Sequence, residues 1–463
     1  MTAKPQAPAW LNPAAIVDLL KLAVPVALSR AAVMLMSFTD AVVLGRNAEL
    51  ELPFITNGYL LVGMGMAIGM GVLQGVQVFT AELSGNGYQR DTGRILRRGL
   101  GVGLILGVIF TLIGYFSADA LFRALGFEPE IAEGTASATR ILSLGLIGHM
   151  LAIGGSLYLE ALRKPILVTV LMYIGVVINL VIDLALVAGW WGFPKLGADG
   201  VAWATTGTRF ALTLAFFVVI WMLTPGFKRS SPAPKDEFWR QNTVGVGGAV
   251  ANVAEFGGFN FSFVIATWVS IAAGTVYSLA IQPIFLTFML FMGIGTATSV
   301  RVAEAYGRKD GDGVREAARL GVTACIAAGL VMSTLMWVFK DPLARLMLAE
   351  DATFNGQALL PALTAIIGLA AFVALFDGLQ GVASMALRAQ EIVWPSAIIQ
   401  IGSYFILMLP LAYWLAIPMG GGAMGVMQGV AVTSVIAALA QTAWLELKAA
   451  RRPSLRAAPK TIG

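Results

Sequence analysis

Twelve apolar stretches follow one another along this chain, each long enough to cross a bilayer as a helix. A helical span needs about 20 apolar residues at 1.5 Å each. By hydropathy the first six cover 16–44, 54–83, 95–116, 136–162, 166–190 and 200–223. A polar connector over 224–241, rich in proline and charge, makes the clearest break. The second six cover 243–272, 276–302, 317–339, 359–387, 395–417 and 422–447. Charged residues are only 12% of the chain and mean hydropathy is +0.80, where a soluble domain carries roughly 25% charge. The expected fold class is all-α: a polytopic membrane protein of twelve transmembrane helices in two pseudo-symmetric six-helix lobes, 1–223 and 242–463.

Charge in the loops sets an expected orientation. Arg90, Arg94, Arg97 and Arg98 follow segment 2, Arg163 and Lys164 follow segment 4, and Lys228, Arg229, Lys235 and Arg240 sit in the connector. Arg308, Lys309, Arg315 and Arg319 follow segment 8, Arg388 ends segment 10, and Lys448, Arg451, Arg452 and Arg456 form a basic tail. The intervening loops are poor in Lys and Arg, and several are acidic, as at Glu49, Glu51, Glu128, Glu130 and Glu350. The positive-inside rule then puts both termini and the connector in the cytoplasm, with the chain in the cell (inner or plasma) membrane. The net charge of +5 is explained by that scatter, and no nucleic-acid footprint is expected. The single cysteine, Cys325, excludes an internal disulfide or a cysteine metal cluster. The N-terminus lacks the apolar core and cleavage site of a signal peptide, so insertion is expected to rest on the first span.

The halves echo each other. A basic, glycine-bounded stretch follows the second span of each, from Gly87 and from Gly307. Ala161-Leu162-Arg163 recurs as Ala386-Leu387-Arg388, and Gly200-Val201 as Gly425-Val426. An even number of spans per half makes this a parallel repeat about an axis along the membrane normal. Transporters built so bind substrate between the halves and rock them to alternate access. Glycines four apart in segment 2 (Gly65, Gly69; Gly71, Gly75) read as close helix packing or as a hinge.

Ionisable side chains in mid-membrane are expensive and usually face an internal cavity. Four carboxylates qualify: Asp40 in segment 1, Asp183 in segment 5, Glu255 in segment 7 and Asp377 in segment 10. Asp40 is nineteen residues beyond Lys21 and Asp183 nineteen beyond Lys164, so both stand about 28 Å from the basic side. They are expected to meet inside the first lobe. Asn179, four residues before Asp183, shares its helix face. With Thr205 and Thr206 they make an oxygen-rich site for Na⁺, held by Asp40, Asn179 and Asp183, or for a shared proton. Glu255 and Asp377 fall near mid-membrane in the second lobe, with Asn252, Asn260 and Gln282 as polar neighbours. Phe256, Phe259, Asn260, Gln282, Phe285, Phe288 and Met292 are expected to line a central cavity, where aromatic faces and pliable thioethers hold lipophilic cations without demanding one shape. Arg30 and Arg209 are available as intramembrane partners. Glu82, Glu160 and Glu304 lie near basic-side helix ends and read as interfacial, and His149 reads as a packed polar residue.

Nothing supports an enzyme: there is no P-loop, HExxH or readable Ser/His/Asp set. The chain resembles the multidrug and toxic compound extrusion (MATE) family, in its NorM type. The resemblance rests on Pro25 and Asp40 with Gly45-Arg46, on Gly-Val-Leu-Gln-Gly-Val-Gln from Gly71, on Asn179 with Asp183, on Glu255, and on Asp377 with Gln380. It covers essentially the whole chain. It implies exchange of Na⁺ or H⁺ for organic cations, no cofactor beyond that coupling ion, and acidic residues of these spans as the coupling groups. Both the segment-5 pair and both second-lobe carboxylates are present, so either lobe is a candidate for coupling. A flippase of the same superfamily for a lipid-linked or amphiphilic substrate would want a basic cavity, and a membrane scaffold or sensor would not need buried carboxylates in both lobes. The protein is expected to act as a monomer among membrane lipid.

Overall fold

The computed structural model describes residues 12–349, 352–354 and 357–449. The basic tail from Arg451 onward, the acidic loop pair Glu350 and Asp351, and the first eleven residues lie outside the described residues. Twelve helical spans long and apolar enough to cross a membrane follow in order. They are α1 (Pro13–Asn47), α2 (Leu52–Gly85), α3 (Thr92–Ala124), α4 (Pro129–Ala161), α5 (Pro165–Leu186) and α6 (Gly197–Leu223), then α7 (Glu237–Val269), α8 (Ile271–Gly307) and α9 (Gly311–Val338). A short helix α10 (Lys340–Met347) and a hairpin pairing Thr353 with Ala358 precede α11 (Leu360–Arg388). The eleventh span is α12 (Trp394–Ile401) and α13 (Leu409–Ala416) joined through a π-helical stretch, Gly402–Met408, and α14 (Gly422–Ala449) is the last. The chain is thus a multi-pass membrane protein, and its described residues are all-α apart from two two-residue strands.

Prolines open α1, α2, α4, α5 and α11, where their missing N–H costs nothing. Pro25 and Pro283 lie inside α1 and α8 instead, and each removes one rung of the helix ladder. The Pro25 carbonyl also accepts from the Thr169 hydroxyl of α5, at 2.6 Å.

α1 and α2 pack against α8 and α7, and these contacts bring the two halves of the chain together. A Cβ placed on Gly71 would fall on the Ala249 backbone of α7, and one on Gly75 on the Gln241 carbonyl. Of the two readings of the segment-2 glycines, close approach is what these positions require. Ion pairs between the halves sit at the end of the bundle that carries the basic loops. Arg163 donates to Glu304 at 2.6 Å, Arg301 pairs with Asp18, Arg240 reaches Glu82 at 3.4 Å, and Arg94 and Arg98 both bind Glu237, at 2.8 and 2.7 Å. Hydrogen bonds donated to Glu304 hold the Arg163 guanidinium above its ordinary pKa. The connector docks on α3: Arg97 donates to the carbonyls of Gly226 and Lys228 at 2.9 and 2.7 Å. Its last residues, from Glu237, already belong to α7.

Three residues depart from the roles expected of them. Glu160 is not interfacial; it is 1% exposed and accepts from Arg30 at 3.0 Å, Gln77 at 3.2 Å and Ser156 at 3.2 Å. Glu304 is also buried, against Arg163. Arg388, counted above as a loop charge, is 4% exposed inside the second half. A charge count along the sequence sees position but not burial, and the charged partners of Glu160 and Glu304 lie more than a hundred residues away.

Candidate ion and substrate sites

In the first half, α1, α5 and α6 bring Asp40, Asn179, Asp183 and Thr205 together, all 3% exposed or less. The Thr205 hydroxyl donates to Asp40 Oδ2 at 3.2 Å, and the Asn179 amide to Asp183 Oδ2 at 3.3 Å. The Asp40 and Asp183 carboxyl groups are within hydrogen-bonding reach of each other. Counting depth along two helices that start at the same face is enough to align them, because both rise at about 1.5 Å per residue.

Asp40 Oδ1, Asn179 Oδ1 and Asp183 Oδ1 are buried with no hydrogen-bond partner. Leaving a buried acceptor unsatisfied costs about 1–3 kcal/mol, more when it is charged. Three such oxygens together leave acceptor capacity unused in one cluster. The donor set is hard oxygen from two carboxylates, an amide and a hydroxyl, which suits Na⁺ or a proton shared between carboxylates. Among the described residues no three His, Cys, Asp or Glu side chains form a metal cluster, consistent with a site that has only two acids.

Thr206 does not join this set. Its hydroxyl donates to the Ile141 carbonyl of α4 at 2.9 Å, because adjacent helical residues point about 100° apart. Two further residues border the cluster: Tyr59 of α2, in reach of Thr205 and not enlisted by the sequence reasoning, and Arg209, the available intramembrane partner. The Arg209 guanidinium is buried and donates to the Leu142 carbonyl at 3.2 Å and to the Met66 sulfur at 3.5 Å.

In the second half the arrangement is a chain of hydrogen bonds. Tyr404 donates to Asp377 Oδ1 at 2.9 Å, Gln380 donates to the Tyr404 oxygen at 3.0 Å, and Gln400 donates to Gln380 at 3.2 Å. Tyr404 stands in the π-helical stretch, a device often found at functional sites. Glu255 is partly exposed and in reach of Gln380, with the buried Arg388 as its nearest cationic influence. Gln400 and Tyr404 escaped the sequence reading, although their four-residue spacing puts them on one helix face.

The expected cavity residues divide. Phe259 is buried against Tyr404 and Phe285, at centroid distances of 5.9 and 6.0 Å, and so belongs to the packed interior. Phe256 and Phe285 are 37% and 36% exposed, and Gln282 and Asn260 are exposed as well. Asn260 spends its amide on the Phe256 carbonyl at 2.7 Å. Phe288 and Met292 are half-buried. Phe256 reaches across to α2, lying 3.6 Å from where a Cβ on Gly63 would stand, and Asn252 donates to the Ala67 carbonyl of α2 at 3.2 Å. These α7 residues therefore touch the other half of the chain.

The fold is that of solved transporters. A MOP superfamily transporter from Pyrococcus furiosus superposes with a TM-score of 0.83 at 19% identity, covering 94% of this chain and 96% of that one. A multidrug resistance MATE family transporter in an outward-facing conformation gives 0.82 at 19% identity, covering 93% and 95%. A probable multidrug resistance protein NorM from Caulobacter vibrioides is 32% identical over 431 residues, spanning 91% of this chain and 89% of its own length. The multidrug resistance protein PmpM from Pseudomonas aeruginosa is 26% identical over 413 residues, 86% of this chain and 84% of its own. The MatE family model matches residues 25–185 and again 249–414, and the chain belongs to that family of multidrug transporters.

Proposed function

We propose that this chain is a secondary active exporter, not an enzyme, that exchanges Na⁺ or H⁺ for lipophilic organic cations across the cell membrane. The observation that carries the reading is the trio of unpartnered buried oxygens on Asp40, Asn179 and Asp183 in a chain of a multidrug transporter family. Two like-charged carboxyl groups in reach of each other need a proton or a cation between them.

The lobes of the proposal are 1–223 and 242–463, joined by 224–241, with both termini and the ion-paired seam on the cytoplasmic side. The protein works as a monomer. Substrate enters the gap bordered by Glu255 and Asp377 and by the exposed faces of Phe256 and Phe285, where aromatic faces and negative charge favour a cation. The deep charges argue against an anionic, lipid-linked cargo. Arg30 is already paired with Glu160, and the four deep carboxylates favour a cation over a phosphate.

In the cycle, an ion entering from outside occupies the Asp40–Asp183 cluster and lowers the affinity for cargo, which leaves outward. The seam at Gly71 and Gly75 with α7, and at Arg163 with Glu304, then parts as the lobes rock inward and release the ion. Linkage requires drug and ion to weaken each other's binding by the same factor. The test is equilibrium binding of a fluorescent organic cation to purified protein while Na⁺ and pH are varied separately. Affinity is expected to fall as one of the two ions is added. Indifference to both overturns the antiport reading.

A further inference from the structure

At the basic end of the bundle a groove of about 830 Å³ opens between the first turns of α1 and the start of α5. Its walls are apolar, from Val17, Leu20 and Val24 on one side and Ile166 and Leu167 on the other. Its mouth is charged, with Lys21, Asp18, Arg163 and Lys164. Two of these charges are already used: Asp18 is held by Arg163 and Arg301, and Arg163 is shared with Glu304. The other two carry no carboxylate partner among the described residues. Lys164 donates to the Leu223 carbonyl at 2.8 Å, and Lys21 is exposed.

The groove does not end at the mouth. A second hollow of about 510 Å³ lies further along α5, lined by Val170, Tyr173, Ile174 and Val177. Ile166, Val170, Ile174, Val177 and Val181 are all between 45% and 64% exposed, at the spacing of a single helix face. The fifteen helical steps from Ile166 to Val181 make that stripe about 22 Å long, deeper than the roughly 15 Å hydrocarbon half of a bilayer. A membrane helix shows lipid an apolar face anywhere. What is particular here is a hollowed face capped by two ammonium groups that lack counter-ions.

We propose that this groove is a binding site for one anionic glycerophospholipid. Its phosphate sits between Lys21 and Lys164 and one acyl chain lies along the Val170–Val177 face of α5. Basic pockets between spans on the cytoplasmic side recognise anionic headgroups through this combination of charge and depth. A zwitterionic headgroup brings its own cation to the lysines, and a free anion has no use for the apolar stripe. The seated lipid touches Pro25 and bridges the two helices that carry Asp40, Asn179 and Asp183, so the site lies where headgroup composition can bear on the ion cluster.

The experiment uses the full chain in phosphatidylcholine nanodiscs doped with a phosphatidylglycerol bearing a diazirine in its acyl chain, with labelled residues mapped by mass spectrometry. Label is expected on residues 170–178, and the matching phosphatidylcholine probe is expected to leave background only. Lys21→Gln with Lys164→Gln should weaken phosphatidylglycerol labelling there roughly 30-fold, about fivefold per lysine. Ile174→Trp, which fills the hollow and leaves both lysines in place, should abolish it and decides the matter if the double variant folds poorly. Equal labelling by the two probes overturns the proposal, as does labelling that survives either variant. Protection by millimolar inorganic phosphate would make this a free-anion site and overturns it too.

Discussion

Asp40 with Asp183 in the first half of the chain and Asp377 with Glu255 in the second are mid-span acidic pairs with opposite surroundings. Around the first pair, Thr205 and Asn179 give one donor each, and an oxygen is left bare on Asp40, Asp183 and Asn179. Around the second, the Tyr404 hydroxyl meets Asp377, Gln380 backs Tyr404, and Gln400 backs Gln380. A donor-poor pocket of oxygens is completed by a cation or proton. A donor-rich chain satisfies its carboxylate from within the protein and holds it in one geometry. From this difference we propose ion coupling in the first half and charge presentation to cargo in the second.

The strongest way to break that assignment is to neutralise one acid from each pair. Asp40→Asn is expected to abolish gradient-driven efflux, by about 100-fold or more if the ion loses a charged ligand worth near 3 kcal/mol. Asp377→Asn should keep efflux within about tenfold for good substrates, since apolar and aromatic contacts still hold them. Dye efflux from proteoliposomes, with Na⁺ and pH gradients imposed separately, measures both. The reverse ranking would move coupling to the second half.

Ion binding to the native state adds a second contrast. If Na⁺ is the guest, Na⁺ at about a hundred times its dissociation constant should stabilise the protein by near 2.7 kcal/mol, seen as a raised melting temperature that K⁺ does not reproduce. Asp40→Asn should erase this gain and Asp377→Asn should leave it. If the guest is a proton, neither cation raises the melting point, and the same variant pair separates on a pH series instead.

Stability should move the other way. Tyr404→Phe leaves Asp377 Oδ1 and the Gln380 amide without their partner, a loss of roughly 1–3 kcal/mol. Asp40→Asn removes one of two like charges in contact and should be neutral or stabilising. Denaturation of both variants in detergent, read by intrinsic fluorescence, compares them. Equal losses would mean that the two clusters are finished alike.

How far the chain declares this in its sequence depends on what each feature needs to know. Span count and type follow from hydropathy, which depends on the solvent and not on tertiary partners. Span ends were less readable: segment 5 was expected to reach Trp190, yet α5 stops at Leu186 and the chain turns at Gly189, whose φ is +75°. Helix α10, with eight residues, is too short to announce itself as a span. The π-helical stretch carrying Tyr404 has no period in the sequence to betray it. Equal depth of Asp40 and Asp183 needs only a linear count from a common face. The Arg30 and Gln77 partners of Glu160 and the Tyr404 partner of Asp377 come from other helices, and no local pattern specifies them.

The finest of these distinctions lies between neighbours. Thr205 and Thr206 are chemically identical and both buried, and the sequence offered both as ligands. Only Thr205 turns its hydroxyl to Asp40, at 3.2 Å, while Thr206 caps the Ile141 carbonyl at 2.9 Å. Valine in place of threonine keeps the shape and removes the hydroxyl. Thr205→Val should therefore weaken coupling-ion affinity about three- to tenfold, the worth of one net hydrogen bond. Thr206→Val should leave that affinity within about twofold and cost only stability, of the order of 1 kcal/mol, through the lost hydrogen bond. Ion titrations of dye binding resolve the two effects. A Thr206→Val variant with weaker ion binding than Thr205→Val would mean that the hydroxyls exchange roles as α6 turns during the cycle.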